Sequence, residues 1–476
     1  MKTGLSLYDT QSRVLKEVSA SDGHSVRIYC CGPTVYRDAH VGNLRTFLLG
    51  DLVARSLKII GVAIEVVQNI TDVGHMSENI DEDKMLVEAQ RTNQDPFSIA
   101  REYEARFHTD LAGLNINSTD HYPRASDSIE LMHQLISQLI VNGNAYVGAD
   151  GSVYFAAQTF EGYGAISGNR LDALKPGHRY EYVEGGAKRF HADWALWKAA
   201  GSRTEMVWNS PWGLGFPGWH IECTAMSLHY LHSHVDLHIG GIDLRFPHHE
   251  NERAQSNSYL ASRGENQEAV DLWLHGEHLL FEGRKMSKSA GNVVLLKDLP
   301  ERGFDPLSLR LCFLENRYRS QMDLSWDAIA AAHETISRWR QRISLWRTTG
   351  NPDLLRTGSE CELLLNFAKD DLDTPRIIQR LRVLEKSQDF DPADKADIFL
   401  YIDSLLGLDL DREPTARAPI SSETQELLEL RSRARMAKDF ARSDLLRDQL
   451  LELGVEVVDT PTGQEWKLTK RGGQSQ

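Results

Sequence analysis

The sequence predicts an α/β fold in which a parallel sheet is interrupted by an insertion and followed by a helical half and a small terminal domain. Three observations predict it. "VRIYCC" (26–31), "VGNLRTFLLGDLVARSLKIIG" (41–61) and "AIEVVQNI" (63–70) read as strand, long helix and strand, the βαβ unit that builds parallel sheets. Residues from about 120 to 200 become rich in turn formers and aromatics and read as inserted. From about 325 the apolar residues recur at helical spacing. A chain of 476 residues is longer than one core usually holds, so two to four domains are expected.

Each element has its own reason. Val26, Ile28 and Cys30 alternate onto one face of the first strand, and the helix that follows stops at Gly61. In parallel sheets ligands sit at the carboxyl ends of the strands, where Cys31 through His40 lies. "GNAYVGADGSVYF" (143–155) reads as a hairpin. The sheet is expected to resume near 219 and again at "VDLHIGG" (235–241). Segments 326–346, 360–373 and 396–408 read as amphipathic helices, and "DREPTARAPISS" (411–422) as a linker. The terminal segment opens with 423–454, including a basic helix over 431–447. "VEVVD" and "TGQEWKL" follow as a candidate hairpin.

Composition excludes several classes. Hydrophobic residues are 41% and charged residues 25%, ordinary values for a soluble globular protein. "MKTGLSLYDTQSR" lacks the apolar centre of a signal peptide, and no run approaches the ~18 apolar residues of a membrane span, so no membrane association is expected. Five cysteines do not make a disulfide framework in so long a chain, and a reducing cytoplasm is expected. The net charge of −15 excludes a generally basic coat but leaves room for a local basic face.

Two constellations carry chemistry. "FPHHENERAQ" (246–255) puts Pro247 at a helix start, with His248 and Glu252 four apart on one face. With Cys223 of "PGWHIECTAM" and Cys31 they form a thiolate, thiolate, imidazole, carboxylate set suited to Zn²⁺. Spacing alone leaves the plainer reading open, since a lone cysteine is usually a small buried hydrophobe. Between adjacent Cys30 and Cys31, Cys31 is the candidate: it is last in the strand, against Gly32-Pro33, whereas Cys30 continues the Val26/Ile28 face. Cys312 and Cys361 read as structural. In "GRKMSKSAGN" (283–292), Lys285 and Lys288 flank small hydroxyl residues, a loop able to meet polyphosphate. "HVGN" (40–43) opens a helix, where free N–H groups favour phosphate. His40 could donate to it, and Gly42 permits close approach.

HVGN resembles the HIGH signature, and KMSKS matches the second signature, of the class I aminoacyl-tRNA synthetases. "CGPTVYRDAHVGN", "GWHIECTAM", "GGIDLRFPHHENERAQS" and "KMSKSAGN" together resemble the cysteinyl-tRNA synthetase family, and the likeness spans essentially the whole chain. The resemblance implies a Rossmann-type catalytic domain in two halves (1–120 and 201–275) around a connective insertion (121–200). It further implies a stem-contact region with the KMSKS loop (276–335), a helical bundle (336–418) and an anticodon-binding domain (419–476). It implies activation of L-cysteine by ATP and Mg²⁺ to cysteinyl-adenylate, and transfer to the terminal adenosine of tRNA(Cys). One Zn²⁺ per chain would be held by Cys31, Cys223, His248 and Glu252 and would select the substrate thiol. Thr71 and Trp219, with Cys31, would border the cysteine, and Asp72 would lie nearby. His40, Gly42, Asn43, Asp243, Lys285, Ser287 and Lys288 would serve ATP, with His40, Asn43, Lys285 and Lys288 catalytic. A monomer is expected.

One departure stands out. The family commonly has a second histidine where this chain has Asn43, and an amide can donate to phosphate but carries no charge. On the RNA side, Arg431, Arg433, Arg435, Lys438, Arg442 and Arg447, with Lys467, Lys470 and Arg471, concentrate cations near Trp466, which offers a stacking face. A related ligase that gives cysteine to an amino sugar lacks that region. A catalytically silent paralogue is the remaining alternative.

Overall fold

The computed structural model describes residues 1–74, 83–174, 186–265, 267–286, 291–348, 350–413, 422–460 and 463–468, the last four as backbone. The chain forms two compact units, Met1–Arg412 and Glu413–Gln476.

The first unit is built on a four-stranded parallel sheet. β1 (Ser25–Cys30) leads through α1 (Val41–Ile59) to β2 (Ala63–Gln68), the expected βαβ unit. After the insertion come α2 (Trp219–Tyr230), β3 (Val235–Gly241), α3 (His248–Ala261) and β4 (Val270–Gly276). The strand order is β4-β3-β1-β2. All seven residues of β3 are buried, as befits an inner strand covered on both faces. The two crossovers leave β1 and β3 in opposite directions. A crevice therefore opens between the carboxyl ends of these two strands.

The insertion contributes a five-stranded antiparallel sheet, in the order 145–147, 153–155, 194–199, 213–217, 208–210. Its first two strands are the hairpin read at 143–155. This sheet runs on to Pro217, so the boundary drawn at 200 falls inside it. Near 219 the chain enters a helix instead of resuming the parallel sheet. "WHIECTAMSLHY" is buried continuously from Ile221 to Leu228, so it shows neither period in the sequence.

Beyond β4, β5 (Leu279–Phe281) pairs antiparallel with β6 (Arg284–Lys285) and parallel with β7 (Met322–Leu324). Four helices follow: α4 (Trp326–Trp346), α5 (Leu354–Lys369), α6 (Thr374–Lys386) and α7 (Pro392–Leu406). α6 is not among the helices expected from the sequence, where 360–373 reads as a single helix; that helix ends at Lys369 and α6 starts at Thr374. Pro375 sits in its first turn, and Ile377, Ile378, Leu381 and Leu384 are buried. Fully buried Arg310 joins bundle to sheet. It donates to Asp51 of α1 at 2.8 Å and to the carbonyls of Leu114, Asn115 and Leu406. Among the described residues no helix is long and apolar enough to cross a membrane.

The second unit holds α8 (Ser422–Met436), α9 (Phe440–Glu452) and the antiparallel pair β8 (Val455–Thr460) and β9 (Gly463–Leu468), around Leu428, Leu450, Val455 and Val457. The single basic helix expected over 431–447 is therefore broken. Lys438 takes a left-handed φ of 59°, and Asp439 caps the next helix by accepting from the Arg442 N–H at 3.1 Å. Arg431 faces inward, 0% exposed, and donates to both oxygens of Asp459 and to Gln464. The side chains of Trp466 and Lys467, and all of Lys470 and Arg471, lie outside the described residues, as does most of the 411–422 linker.

Candidate active site

The deep end of the crevice is assembled from three elements. Cys30 ends β1 against Gly50 of α1, within the core of the sheet. Cys31 is the first residue past the strand, and its N–H still donates to Ile239 of β3 at 3.0 Å. α2 brings Cys223, and α3 brings His248 and Glu252 one turn apart. The donor atoms of Cys31, Cys223, His248 and Glu252 all lie within 4.8 Å of one another, and none of the four residues is more than 5% exposed. His248 Nε2 is 2.9 Å from Glu252 Oε1, and its Nδ1 is 2.9 Å from His220 Nδ1. Metal–donor bonds of about 2.0–2.3 Å place tetrahedral ligands at such mutual distances, so the donor set fits a small divalent cation.

Behind these four lies a set of histidines that the sequence reading missed. His238 Nε2 and His249 Nε2 stand 3.5 and 3.2 Å from Cys31 Sγ. His249 Nδ1 meets His275 Nε2 at 2.8 Å, and His275 Nδ1 meets Thr10 Oγ1 at 2.8 Å. The available signal was an imidazole midway along the apolar strand "VDLHIGG". Desolvation drives His238 and His249 well below the usual imidazole range and His275 down to about 3, so all three are neutral. Burial pushes the Cys31 thiol and the Glu252 carboxyl up. A hydrogen bond from Cys31 brings Cys223 down to about 7. A bound divalent cation would invert this balance and hold both sulfurs as thiolates.

Above His248 sits Trp219, the first residue of α2. It is 38% exposed, with its ring 4.3 Å from the imidazole at a 32° tilt, so it is a wall and not a core aromatic. Thr71 is buried. Its hydroxyl donates to Glu222 Oε2 and accepts from Asn69 Nδ2, both at 3.1 Å. Asn69 Oδ1 in turn accepts from the Gly32 N–H at 2.8 Å and from the Cys223 thiol at 3.6 Å. Asn69 thus ties the Cys31 loop to α2, a role no local pattern announced. Asp72 is engaged elsewhere, accepting from the Ser126 N–H at 2.8 Å and pairing with Arg101.

The open end is the start of α1. His40 is its N-cap: Nδ1 accepts from the Asn43 N–H, and Asn43 Oδ1 accepts from the His40 N–H, both at 3.2 Å. Burial, helped by Arg37, lowers the His40 pKa. With Nδ1 accepting, the proton of this neutral ring is on Nε2, a donor. Position 43 therefore completes a capping box, which an amide does well. A Cβ at Gly42 would stand 3.0 Å from the His40 ring and 3.1 Å from Met286 Cε, so only glycine lets the two signature segments touch without displacement. Asp243 is exposed on the turn after β3. Lys285 ends β6 and is exposed, while Ser287 and Lys288 lie outside the described residues.

Residues 17–334 match the family described as tRNA synthetases class I (C) catalytic domain, and 417–466 the cysteinyl-tRNA ligase anticodon binding domain. A cysteine–tRNA ligase of Thermus thermophilus is 40% identical, over 98% of this chain and 100% of its own. That of Treponema denticola is 34% identical, over 97% and 99%. Among solved structures, Mycobacterium tuberculosis methionyl-tRNA synthetase with methionyl-adenylate aligns with a TM-score of 0.56 at 17% identity, covering 88% of this chain and 96% of that one, a likeness of fold. A parallel sheet with this crevice, a histidine-capped α1 and Met286 packed beside Gly42 of that helix is the architecture of a class I aminoacyl-tRNA synthetase. Within that class, the chain belongs to the cysteine–tRNA ligase family.

Proposed function

We propose that the chain activates L-cysteine with ATP and joins it to tRNA(Cys). The carboxylate of cysteine attacks the α-phosphorus, the bond to the β-phosphate breaks, and pyrophosphate leaves. A ribose hydroxyl of the terminal adenosine then attacks the carbonyl carbon, and AMP leaves. The observation that carries the reading is the four-donor set buried under a half-exposed tryptophan, beside the His40-capped helix of a class I sheet.

Cys31, Cys223, His248 and Glu252 are the residues that would hold zinc. What zinc supplies when bound is a soft Lewis acid that takes a thiolate far better than a serine hydroxyl. An apolar pocket separates such isosteres by only ~10²-fold. His220 orients His248, and Asn69 holds the Cys31 loop against α2. Trp219 closes the pocket over the substrate side chain. The nucleophile is already ionised, so no general base is needed. His40 Nε2–H donates to phosphate, and Lys285 and Lys288 meet the charge that builds on the departing pyrophosphate, with Mg²⁺ accompanying ATP.

The reading is tested by ATP–pyrophosphate exchange with cysteine and with serine, on protein whose zinc content is measured alongside. Exchange with cysteine only, at about one zinc per chain, is expected. Exchange with serine, or none from zinc-loaded protein, refutes it. Adding tRNA to the same reaction separates transfer to RNA from transfer to an amino sugar, and the match over 417–466 supports RNA.

A further inference from the structure

Arg45, one turn into α1, is only 6% exposed and spends its guanidinium on main-chain oxygens. Nη1 donates to the carbonyls of Glu277 (2.9 Å) and His278 (3.1 Å), and Nη2 to those of Arg317 (3.0 Å) and Ser320 (2.8 Å). These four carbonyls flank one junction. Residues 277–278 join β4 to β5, and 317–320 lead into β7. The two segments also bond each other, Glu277 N–H to Tyr318 at 2.8 Å and Met322 N–H to His278 at 3.2 Å. β5 then pairs with β6, which ends in Lys285.

The far side of the KMSKS segment returns to the same turn of α1. Val41 N–H donates to Val294 at 3.0 Å, and His40 bridges Leu295. Met286 packs on Gly42. Both ends of the segment therefore hang on the first five residues of the helix that His40 caps. The upstream attachment runs through Arg45.

We propose that Arg45 is a positioning residue for adenylate formation: it clamps the β5–β6 hairpin to α1 so that Lys285 stands at a set distance from the His40 end. The proposal rests on the reading of HVGN and KMSKS as the two ATP-handling segments. Only a planar fork can span four carbonyls; an ammonium is a single point of donation. Displacements of about 1 Å at such a distance cost up to ~10²-fold in rate.

The test is a double-mutant cycle of Arg45→Lys and Lys285→Ala, read by single-turnover adenylate formation, with cysteine KM, metal content and melting temperature measured on each variant. Arg45→Lys is expected to slow adenylate formation by roughly ten- to a hundred-fold, leaving cysteine KM and metal content in place. In the Lys285→Ala background it is expected to add less than about threefold, because the two act as a unit. Full additivity against a slow Lys285→Ala overturns the role of Arg45 alone. An unchanged rate in Lys285→Ala overturns the reading of the loop, and the proposal with it. Should Arg45→Lys not fold, amide exchange on the unmodified chain decides. Slow exchange at Glu277 and Met322 with and without ATP supports a fixed clamp; fast exchange at either overturns it.

Discussion

The two ends of the crevice are built on opposite plans. At the deep end, four donors from three elements are 1–5% exposed, with His220 against His248 and Asn69 against Cys223. At the open end, Asn43, Asp243 and Lys285 are exposed, and His40 is half-buried. Recognition of a small side chain rewards a rigid, dry site, because each polar atom left unpaired by the wrong substrate costs about 1–3 kcal/mol. Handling a triphosphate through bond breaking rewards groups that can follow the charge as it moves. On the proposed function, the deep end serves selection and the open end serves rate.

Substitutions can break or sharpen that contrast. Cys223→Ser should have the largest effect. Metal content should fall to near zero, and cysteine-dependent exchange by about 10³-fold or more, with the fold kept; retained zinc and normal activation would sink the metal assignment. Lys285→Ala should cut adenylate formation by about 10²-fold while cysteine binding moves only a few-fold. An equal loss of cysteine binding would show that the two ends are not separable. Trp219→Ala should raise cysteine KM about tenfold with little change in melting temperature. A stability loss of about 3–5 kcal/mol would instead mark the ring as core.

The smallest effects are expected at position 43. Asn43→Ala removes the capping box and should lower stability by about 1 kcal/mol. Asn43→Asp keeps the acceptor for the His40 N–H, so stability should hold, while its charge repels phosphate and ATP KM rises a few-fold. If Asn43→Asp leaves ATP KM unmoved, position 43 serves the helix and not the nucleotide.

How much was legible depended on how many partners an element has. β3 reads plainly because both its faces are covered and every residue is apolar or small, save Asp236 and His238. α2 is also covered on nearly all sides, but over twelve residues that cover erases the period by which a helix is recognised. The basic run after 431 reads as one solvated face. In the fold Arg431 turns inward to Asp459 and the helix breaks at Lys438, because charge in a sequence says nothing about which side a partner lies on. Asn69 and Arg45 were invisible for the same reason: each acts through main-chain or amide contacts with segments far along the chain.

By itself the sequence determined the two signature segments, the chemical types of the donor set, the helical pairing of His248 with Glu252, and the parallel sheet that must carry them. These are local facts, set by periods of two and 3.6 residues and by the few side chains able to bind a soft cation or a phosphate. Tertiary structure alone decided how closely Cys31 and Cys223 approach His248 and Glu252, that neutral histidines line the back of the set, and that one turn of α1 holds both ends of the lysine-bearing segment. The reason is physical. Strand order and helix docking bring together residues hundreds of positions apart, and that order is settled by the burial of whole faces, a sum over the chain that no local spacing records.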